Sequence, residues 1–483
     1  MTEPNEAGAP DVATSPAPDA APPARDADAS DEGPLRPDSD SRRRILAAVV
    51  YVVSVVVFLA VAGPPRLTVH TAFNHYAHLA DAWAHGRNDL RSGAPAYAMN
   101  NDFALFQGKT FISFPPFPAV LMLPFVKLAG SPENFQDGQF AVWIAGLGPM
   151  LLFLVLEKLR RTGRSNRTEA DSLLLAFAFA FGTVYFFTAV EGTVWFIAHV
   201  VGVAMCGAYL LFAIDAASPF LAGLFLACSW TTRPSTLLLG VVFALEALRV
   251  SSKDGDDGDA PLFGRVKSLV KGLDVSAFSK RVAPFAAPLL VSFALASYYN
   301  HVRFGDARPF AFGHEHLSVV WQARMEKWGL FGYHYLAKNL GVMLTVLPWF
   351  PPHDSPPGTP FLQINEHGLA LWFTTPIYLW LVRPQRRSYL FDVVAIGAVL
   401  IATQNLLYQN SGWRQFGYRF SNDYALALFV LLALGDRPFR WMFRSAVAWG
   451  VVWNLFGAIT FDRAGYDKFY WREGSQRILY QDD

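Results

Sequence analysis

The sequence predicts an all-α polytopic membrane protein with about eleven transmembrane helices. Of its 483 residues, 53% are hydrophobic and only 16% are Asp, Glu, Lys or Arg, whereas about 25% of a typical soluble domain is charged. The mean hydropathy is +0.24, and long apolar runs recur along the chain, which is typical of a multi-span protein. The net charge of +1 provides no bulk attraction for nucleic acid, so no such partner is expected.

The first segment, residues 1–41, is low in complexity and rich in Pro, Ala and acidic residues. This composition cannot bury enough apolar surface to offset the entropy of ordering, so a disordered tail is predicted. Arg42, Arg43 and Arg44 follow it and precede an apolar run at 45–63 that is long enough to cross a bilayer. Because basic residues stay on the cytoplasmic side, the N-terminus is predicted to be cytoplasmic.

The transmembrane domain is predicted to extend over residues 42–461. After 45–63, its apolar runs cover 139–156, 170–190, 193–214, 218–232, 234–248, 283–299, 368–382, 390–408, 422–435 and 445–461. Alternation from a cytoplasmic start places the basic segments on the inside. A single helix over 218–248 would move the basic loop at 249–281 outside, so two short spans joined near Arg233 and Pro234 fit the charges better. The C-terminal tail, 462–483, is then outside.

The segments left outside are 64–138, 300–367 and 409–421. The first is the largest, and we expect it to form two interfacial helices, at 72–86 and 116–129, because neither run is long enough to cross. Helical periodicity in 72–86 gives one apolar stripe and one polar stripe. The apolar stripe is Tyr76, Leu79, Ala80 and Trp83, and the polar stripe is Asn74, His78, Asp81 and His85.

The candidate catalytic residues are three carboxylates that the predicted topology places outside. Asp81 and then Asp102 are the candidate general bases, and Glu191 is third, as a residue that could hold the acceptor or coordinate a metal. Asp81 lies between His78 and His85 on the polar stripe, and a carboxylate there can accept a proton or bind a metal; the alternative is a polar face that wets the headgroup layer. Asp102 ends an Asn-Asn-Asp run that is also an ordinary turn sequence. Glu191 lies at the outer end of the third run, two helical turns before His199.

Candidate phosphate ligands are outward-facing arginines that oppose the positive-inside bias. Arg233, Arg414 and Arg419 lie at the ends of different spans, and guanidinium groups bind phosphate oxygens through two parallel hydrogen bonds. The alternative is that each side chain extends to the membrane interface. His314 and His316 flank Glu315 in a segment read as extended, which is half of a metal site. No cofactor is indicated beyond a possible divalent metal ion.

The order of these motifs resembles the GT-C class of membrane glycosyltransferases, in particular bacterial relatives of the protein O-mannosyltransferases and the lipid A aminoarabinose transferase. The matching motifs are Tyr76 with Ala80 and Gly86, Pro115-Pro116 with the run that follows, the basic turn at 157–161, the Thr-Arg-Pro pattern within 222–234, and the segments 299–306 and 417–423. Members of this class place an acidic residue directly after the first span. Here 69–75 holds no carboxylate, so Asp81 or Asp102 is expected to take that role.

The resemblance implies an inverting hexosyl or pentosyl transferase. The high usage of Ala, Arg and Pro is typical of a GC-rich bacterium, so the bacterial inner membrane is the expected location. The resemblance also implies a polyprenyl-phosphate-sugar donor and a glycan, lipid or protein acceptor at the outer face. From the residue pattern, His78 and His199 are further candidates for binding the substrate or its phosphate. Two alternatives stay open at this point. One is a transporter or flippase, although no internal repeat is visible and the ionisable residues gather at span ends. The other is a non-catalytic lipid-binding scaffold, which the missing early carboxylate favours.

Overall fold

The computed structural model describes residues 39–98, 102–255, 262–317 and 322–471, and this part of the chain is mainly helical. The helices of the first half are α1 (Asp40–Ala62), α2 (Pro64–Leu67), α3 (His75–Ala84), α4 (Phe117–Ala129), α5 (Asp137–Ala145), α6 (Leu147–Arg161), α7 (Glu169–Phe181), α8 (Tyr185–Ala189), α9 (Val194–Ala213), α10 (Pro219–Trp230) and α11 (Gly240–Val250). Those of the second half are α12 (Leu262–Lys271), α13 (Val275–Phe304), α14 (Gln322–Trp328), α15 (Leu336–Leu344), α16 (Leu371–Thr374), α17 (Tyr389–Leu406), α18 (Asn422–Leu434) and α19 (Trp441–Thr460).

Six helical segments of the described chain are long and apolar enough to cross a membrane, which confirms the predicted all-α polytopic fold. They are α1, the adjoining α5 and α6, α9 with the turn after it, α13, α17 and α19. The other predicted runs form shorter or interrupted helices. In 368–382, for example, α16 ends before Thr375, whose backbone (φ −140°, ψ 68°) leaves the helical region ahead of Pro376. The number of membrane crossings therefore stays a prediction.

Helix α9 lies at the centre of the bundle. Within its apolar window 83% of the residues are buried, whereas the corresponding figures for α1 and α13 are 28% and 17%. A helix that is hydrophobic all round and buried packs against neighbours on every side. Side chains that project from α9 therefore reach the interior, where they meet residues of several other elements.

The segment 64–138 contains helices at both positions predicted for interfacial helices, α3 and α4, and the two helices pack together. Between them, β1 (Phe103–Phe106) and β2 (Lys109–Ile112) form an antiparallel hairpin in which Phe103 pairs with Ile112. Its turn residues Gln107 and Gly108 both have positive φ, 49° and 75°, as a tight two-residue hairpin turn requires. The hairpin fixes the position of the residue that precedes it, Asp102.

Loops that the charge pattern assigns to one side of the membrane contact each other in the structure. On the predicted inner side, Arg164 forms salt bridges with Asp215 and with Glu246. On the predicted outer side, the Arg66 guanidinium donates a hydrogen bond of 2.8 Å to the Phe461 carbonyl. A short parallel pairing of β3 (Ile364–Asn365) with β4 (Tyr470–Trp471) joins two other predicted outer segments. These contacts agree with the predicted alternation.

The predicted tails lie mostly outside the described residues, as do Asn100 and Asn101. Residues 1–38 and 472–483 belong to this part. The described chain corrects one boundary, because α1 already begins at Asp40, inside the segment 1–41 that was predicted to be disordered. The Ser39 side chain accepts a hydrogen bond from the Arg42 backbone N–H, which caps the first turn of the helix.

Candidate functional site

A cavity of about 480 Å³ opens where the predicted outer segments meet the centre of the bundle. Two of its lining residues, Phe310 and Phe331, have exposed fractions of 44% and 46%, so the cavity reaches the surface. The lining comes from elements far apart in the chain. It includes Tyr76, Asp102, Ser113, Phe114, Pro115, Trp195, Ala198, His199, Thr232, Arg233, Pro234, Ser235, Phe310, Phe312, His314, Leu317, Leu330, Phe331, Gln404, Asn405, Tyr408, Gln409, Asn410, Arg419 and Phe420.

Asp102 is the predicted carboxylate that the structure places in this cavity. Its backbone has φ 60°, a left-handed conformation that Asp tolerates better than most residues, and the Ser113 hydroxyl donates 3.0 Å to its carbonyl. The indole N–H of Trp195, near the start of α9, donates 2.8 Å to Oδ2. Burial raises the pKa of Asp102 to about 6, partly offset by this indole hydrogen bond and by Arg419. The side chain of Asp102 is thus fixed in the cavity by a hydrogen bond, and its pKa is about 6.

Arg233 lies in the turn between α10 and Pro234 and binds the carboxylate of Asp423, near the start of α18. Its Nε lies 2.9 Å from Oδ1 and its Nη2 lies 2.7 Å from Oδ2. The side chain passes over Gly202 on α9, where a Cβ would come within 2.9 Å of Arg233 Cγ. The absence of a side chain at Gly202 therefore gives Arg233 its path to the cavity.

Asp423, which is not among the site residues predicted from the sequence, accepts further hydrogen bonds. His199 Nδ1 lies 3.1 Å from Oδ1, the Ser235 hydroxyl donates 3.0 Å to Oδ2, and Asn405 Nδ2 donates 3.0 Å to the same atom. One carboxylate thus joins residues from α9, α17, α18 and the Arg233 turn. The signal was present, because Asp423 is a lone carboxylate at the start of an otherwise apolar run.

Arg419 also lines the cavity, and among the described residues no carboxylate forms a salt bridge with it. Its side-chain Nε is buried and has no hydrogen-bond partner in the described chain. The guanidinium carbon lies 5.0 Å from the ring centre of Phe196 and 5.7 Å from that of Phe420. Burial and the neighbouring Arg233 lower the pKa of Arg419 to about 9. This leaves a buried guanidinium in contact with aromatic rings and available to an anion.

Other polar atoms in the cavity wall are also buried without a hydrogen-bond partner in the described residues. They are Nε2 of His199 and the hydroxyl of Tyr76. Buried polar groups are nearly always paired in native proteins, and each exception calls for an explanation such as a bound molecule. Together with Arg419, these atoms make the cavity a site suited to a polar or anionic ligand.

The structure does not bring Asp81 or His78 to the cavity wall. Asp81 is half-buried on α3, where His85 Nδ1 lies 3.4 Å from its carboxylate. His78 Nε2 lies 2.7 Å from the Tyr97 hydroxyl, and burial lowers the pKa of His78. Both residues project from α3, whose buried face carries Tyr76 instead. The geometry therefore reverses the order of the first two candidates, because Asp102 lines the cavity and Asp81 does not.

Glu191 and Arg414 are likewise engaged elsewhere. The Glu191 carboxylate is buried 2.8 Å from Arg66 Nη1, and it ties the segment after α8 to that after α1. Arg414 binds Glu366 at 2.9 Å and Asp462 at 3.3 Å. Their charges are thus used in contacts between the predicted outer segments. The expectation that all three outward arginines share a phosphate site is wrong for Arg414.

The segment at His314 and His316 is a 3-10 turn rather than the extended segment expected, which would place both histidines on one side. His314 therefore faces the cavity, whereas the His316 ring packs 4.5 Å from the ring centre of Phe106, and Glu315 binds Arg308 at 3.1 Å. Throughout the described ranges, no group of three or more His, Cys, Asp or Glu side chains could hold a metal ion. The divalent metal ion named among the expectations stays a prediction.

No protein-family model and no curated protein sequence matches the chain. Among solved structures, it is similar to ArnT from Cupriavidus metallidurans bound to undecaprenyl phosphate, with 14% identity over 86% of this chain and a TM-score of 0.46. It is also similar to the oligosaccharyltransferase AglB from Archaeoglobus fulgidus in complex with an inhibitory peptide and a dolichol-phosphate (13% identity, 86% of this chain, TM-score 0.42). A third similar structure is the apo form of the Archaeoglobus fulgidus oligosaccharyltransferase, with 12% identity over 92% of this chain and a TM-score of 0.43. The chain spans 64%, 56% and 60% of these three chains, respectively.

Proposed function

We propose that this chain is an integral-membrane glycosyltransferase that moves a sugar from a polyprenyl-phosphate-linked donor to an acceptor at the outer face of a bacterial inner membrane. The observation that carries the proposal is Arg419, a buried guanidinium for which no described carboxylate is a partner. An unpaired buried charge is costly, so an anion from outside the chain is the expected partner. Phosphate suits a guanidinium in both geometry and charge.

The cavity has the polar groups that a single displacement needs. The acceptor hydroxyl oxygen forms a bond to the anomeric carbon while the bond from that carbon to the phosphate oxygen breaks. Asp102 takes the hydroxyl proton, for which a carboxylate with a pKa of about 6 is suited near neutral pH. The bonding electrons leave with the phosphate, and Arg419 stabilises the charge that grows there. One displacement at the anomeric carbon inverts its configuration.

An apolar wall opposite these groups supports a lipid-linked donor rather than a free sugar nucleotide. Phe310, Phe312 and Leu317 contribute to it from the segment after α13, and Leu330 and Phe331 extend it. Beside this wall, α13 has a largely exposed apolar surface, with only 17% of its apolar window buried. An isoprenoid chain would reach from the bilayer along such a surface and place its phosphate at the arginines.

The experiment uses the full chain in lipid nanodiscs with a panel of undecaprenyl phosphates that carry single hexoses or pentoses. A bacterial envelope extract supplies acceptors, and mass spectrometry follows the release of undecaprenyl phosphate. We expect release from at least one donor of the panel. Asp102→Asn should reduce the rate about 10²-fold to 10⁴-fold, the usual contribution of a general base. Asp81→Asn is the matched control and should retain the wild-type rate.

Two outcomes would replace this function by one of its alternatives. Tight binding of the panel lipids without release of undecaprenyl phosphate, in wild type as in Asp102→Asn, would favour the non-catalytic scaffold. Movement of intact sugar lipid across vesicle bilayers, again without release, would favour the flippase.

A further inference from the structure

The imidazole of His199 has one nitrogen bound to Asp423 and the other without a partner in the described chain. Nδ1 lies 3.1 Å from Asp423 Oδ1. Nε2 is buried and has no hydrogen-bond partner in the described part of the chain, and His199 lines the cavity. The residue is only 1% exposed. His199 is therefore a residue of the cavity wall whose Nε2 is left without a protein partner among the described residues.

The surroundings of Asp423 determine which nitrogen of His199 carries the hydrogen. Arg233, Ser235 and Asn405 all donate hydrogen bonds to this carboxylate, so it acts as an acceptor only, as an ionised carboxylate does. His199 Nδ1 must then donate to Oδ1. The charge of Asp423 is matched by that of Arg233, so a neutral imidazole leaves this group balanced. In that tautomer Nε2 has a free lone pair, which can accept a hydrogen bond from a molecule in the cavity.

We propose that His199 Nε2 accepts a hydrogen bond from a hydroxyl group of the transferred sugar; this inference rests on the function proposed above. A lone pair repels phosphate oxygens, so His199 is not the phosphate ligand that the sequence suggested, whereas a sugar hydroxyl is a donor. His199 Nδ1 and Arg233 Nε bind the same oxygen, Asp423 Oδ1. The Phe420 ring centre lies 5.9 Å from that of His199 and 5.7 Å from the guanidinium carbon of Arg419. A sugar attached to a phosphate at Arg419 would therefore lie next to the imidazole.

This contact makes His199 a specificity-determining residue. A site with a buried acceptor selects against a sugar that lacks the matching hydroxyl, because the acceptor is then left unpaired. A donor that is deoxygenated or O-methylated at that one position should bind more weakly, while the same change elsewhere on the ring should matter less. Undecaprenyl phosphate without a sugar should not depend on His199 Nε2.

Two substitutions separate the nitrogens. His199→Asn keeps an amide donor near Nδ1 and removes Nε2, whereas His199→Gln places an amide group near Nε2. We expect the Asn variant to bind undecaprenyl phosphate within about twofold of wild type, while kcat/KM for the sugar donor falls about tenfold, the cost of roughly one hydrogen bond. The Gln variant should recover part of that loss. Wild-type kcat/KM in the Asn variant, or a loss of undecaprenyl phosphate binding in it, would overturn the inference.

A spectroscopic measurement makes the inference independent of turnover. Nitrogen-15 NMR of histidine-labelled protein, with His199 assigned by its absence from the Asn variant, should show a protonated Nδ1 and an unprotonated Nε2. Adding undecaprenyl phosphate should leave this pattern unchanged. Two results would refute the hydroxyl contact. One is a protonated Nε2 in the free protein, and the other is an Nε2 that becomes protonated and donates a hydrogen bond when undecaprenyl phosphate is added. Either result would identify His199 as a phosphate ligand. Failure of the proposed function would instead appear as absent turnover with the expected tautomer intact.

Discussion

Arg233 and Asp423 form a two-point ion pair in the wall of the cavity, with Nε 2.9 Å from Oδ1 and Nη2 2.7 Å from Oδ2. The pair joins the turn after α10 to the start of α18 and leaves Asp423 bound by several donors. Because Asp423 balances the charge of Arg233, Arg419 is the guanidinium left to bind an incoming anion.

Replacing Arg419 should weaken anion binding specifically. Arg419→Met removes the charge and keeps much of the apolar stem, so we expect the affinity for undecaprenyl phosphate to fall about tenfold to a hundredfold, the range of one charge-assisted hydrogen bond. Native mass spectrometry of the nanodisc complex measures this directly. Arg414→Met is the matched control, because Arg414 binds Glu366 and Asp462 outside the cavity. Equal affinities in the two variants would argue against Arg419 as the phosphate ligand.

The rate of transfer should depend on pH through Asp102. The carboxylate is the active form, so activity should be present above the pKa of about 6 and should be lost as the pH falls through it. Trp195→Phe removes the indole N–H that stabilises the carboxylate, which raises the pKa and moves the acidic limb of the kcat/KM profile to higher pH. Trp143→Phe, at an exposed position, should leave the profile in place. An unmoved limb in Trp195→Phe would mean that another group sets it.

Removing the partner of Arg233 should destabilise the fold. Asp423→Ala leaves a mostly buried guanidinium without its carboxylate and removes the acceptor for His199, Ser235 and Asn405. Breaking one side of a buried pair typically costs about 3–5 kcal/mol, so the apparent unfolding temperature in detergent should fall clearly.

The control is Asp392→Ala, which breaks the pair with the exposed Arg387 and should cost less than about 1 kcal/mol. If the two substitutions lower the unfolding temperature equally, the Asp423 cluster does not stabilise the bundle.

The two sets of loops should face opposite sides of the membrane. Asp354 and Lys253 are both exposed, and the charge pattern assigns Asp354 outside and Lys253 inside. In intact cells a membrane-impermeant thiol reagent should label Asp354→Cys and should label Lys253→Cys only after the membrane is permeabilised. The unsubstituted chain, whose thiols are the buried Cys206 and the half-buried Cys228, gives the background. The reverse pattern would invert the predicted topology.

The sequence by itself determined the class of fold, and it predicts which loops lie on each side of the membrane. Apolar length and the distribution of arginines depend on local composition and on the bilayer, and neither requires knowledge of packing. The structure has span-length helices at several of the predicted runs, and α3 and α4 at the positions predicted for interfacial helices. The amino-acid sequence was less informative about where helices are interrupted. The interruption before Pro376 depends on one backbone conformation inside a run whose composition still looks continuous.

Only the tertiary structure decided which polar residues share the cavity. Asp81 and Asp102 are both polar residues of one predicted outer segment, yet α3 turns Asp81 away whereas the β1–β2 hairpin brings Asp102 to Trp195. Arg414 and Arg419 lie five positions apart, and only Arg419 lines the cavity. Such choices depend on contacts between residues distant in sequence, here between Asp423 and Arg233 across 190 positions. The periodicity of a sequence predicts which residues share a face of one helix or strand. It does not predict which faces of different elements pack together, and that packing forms the site.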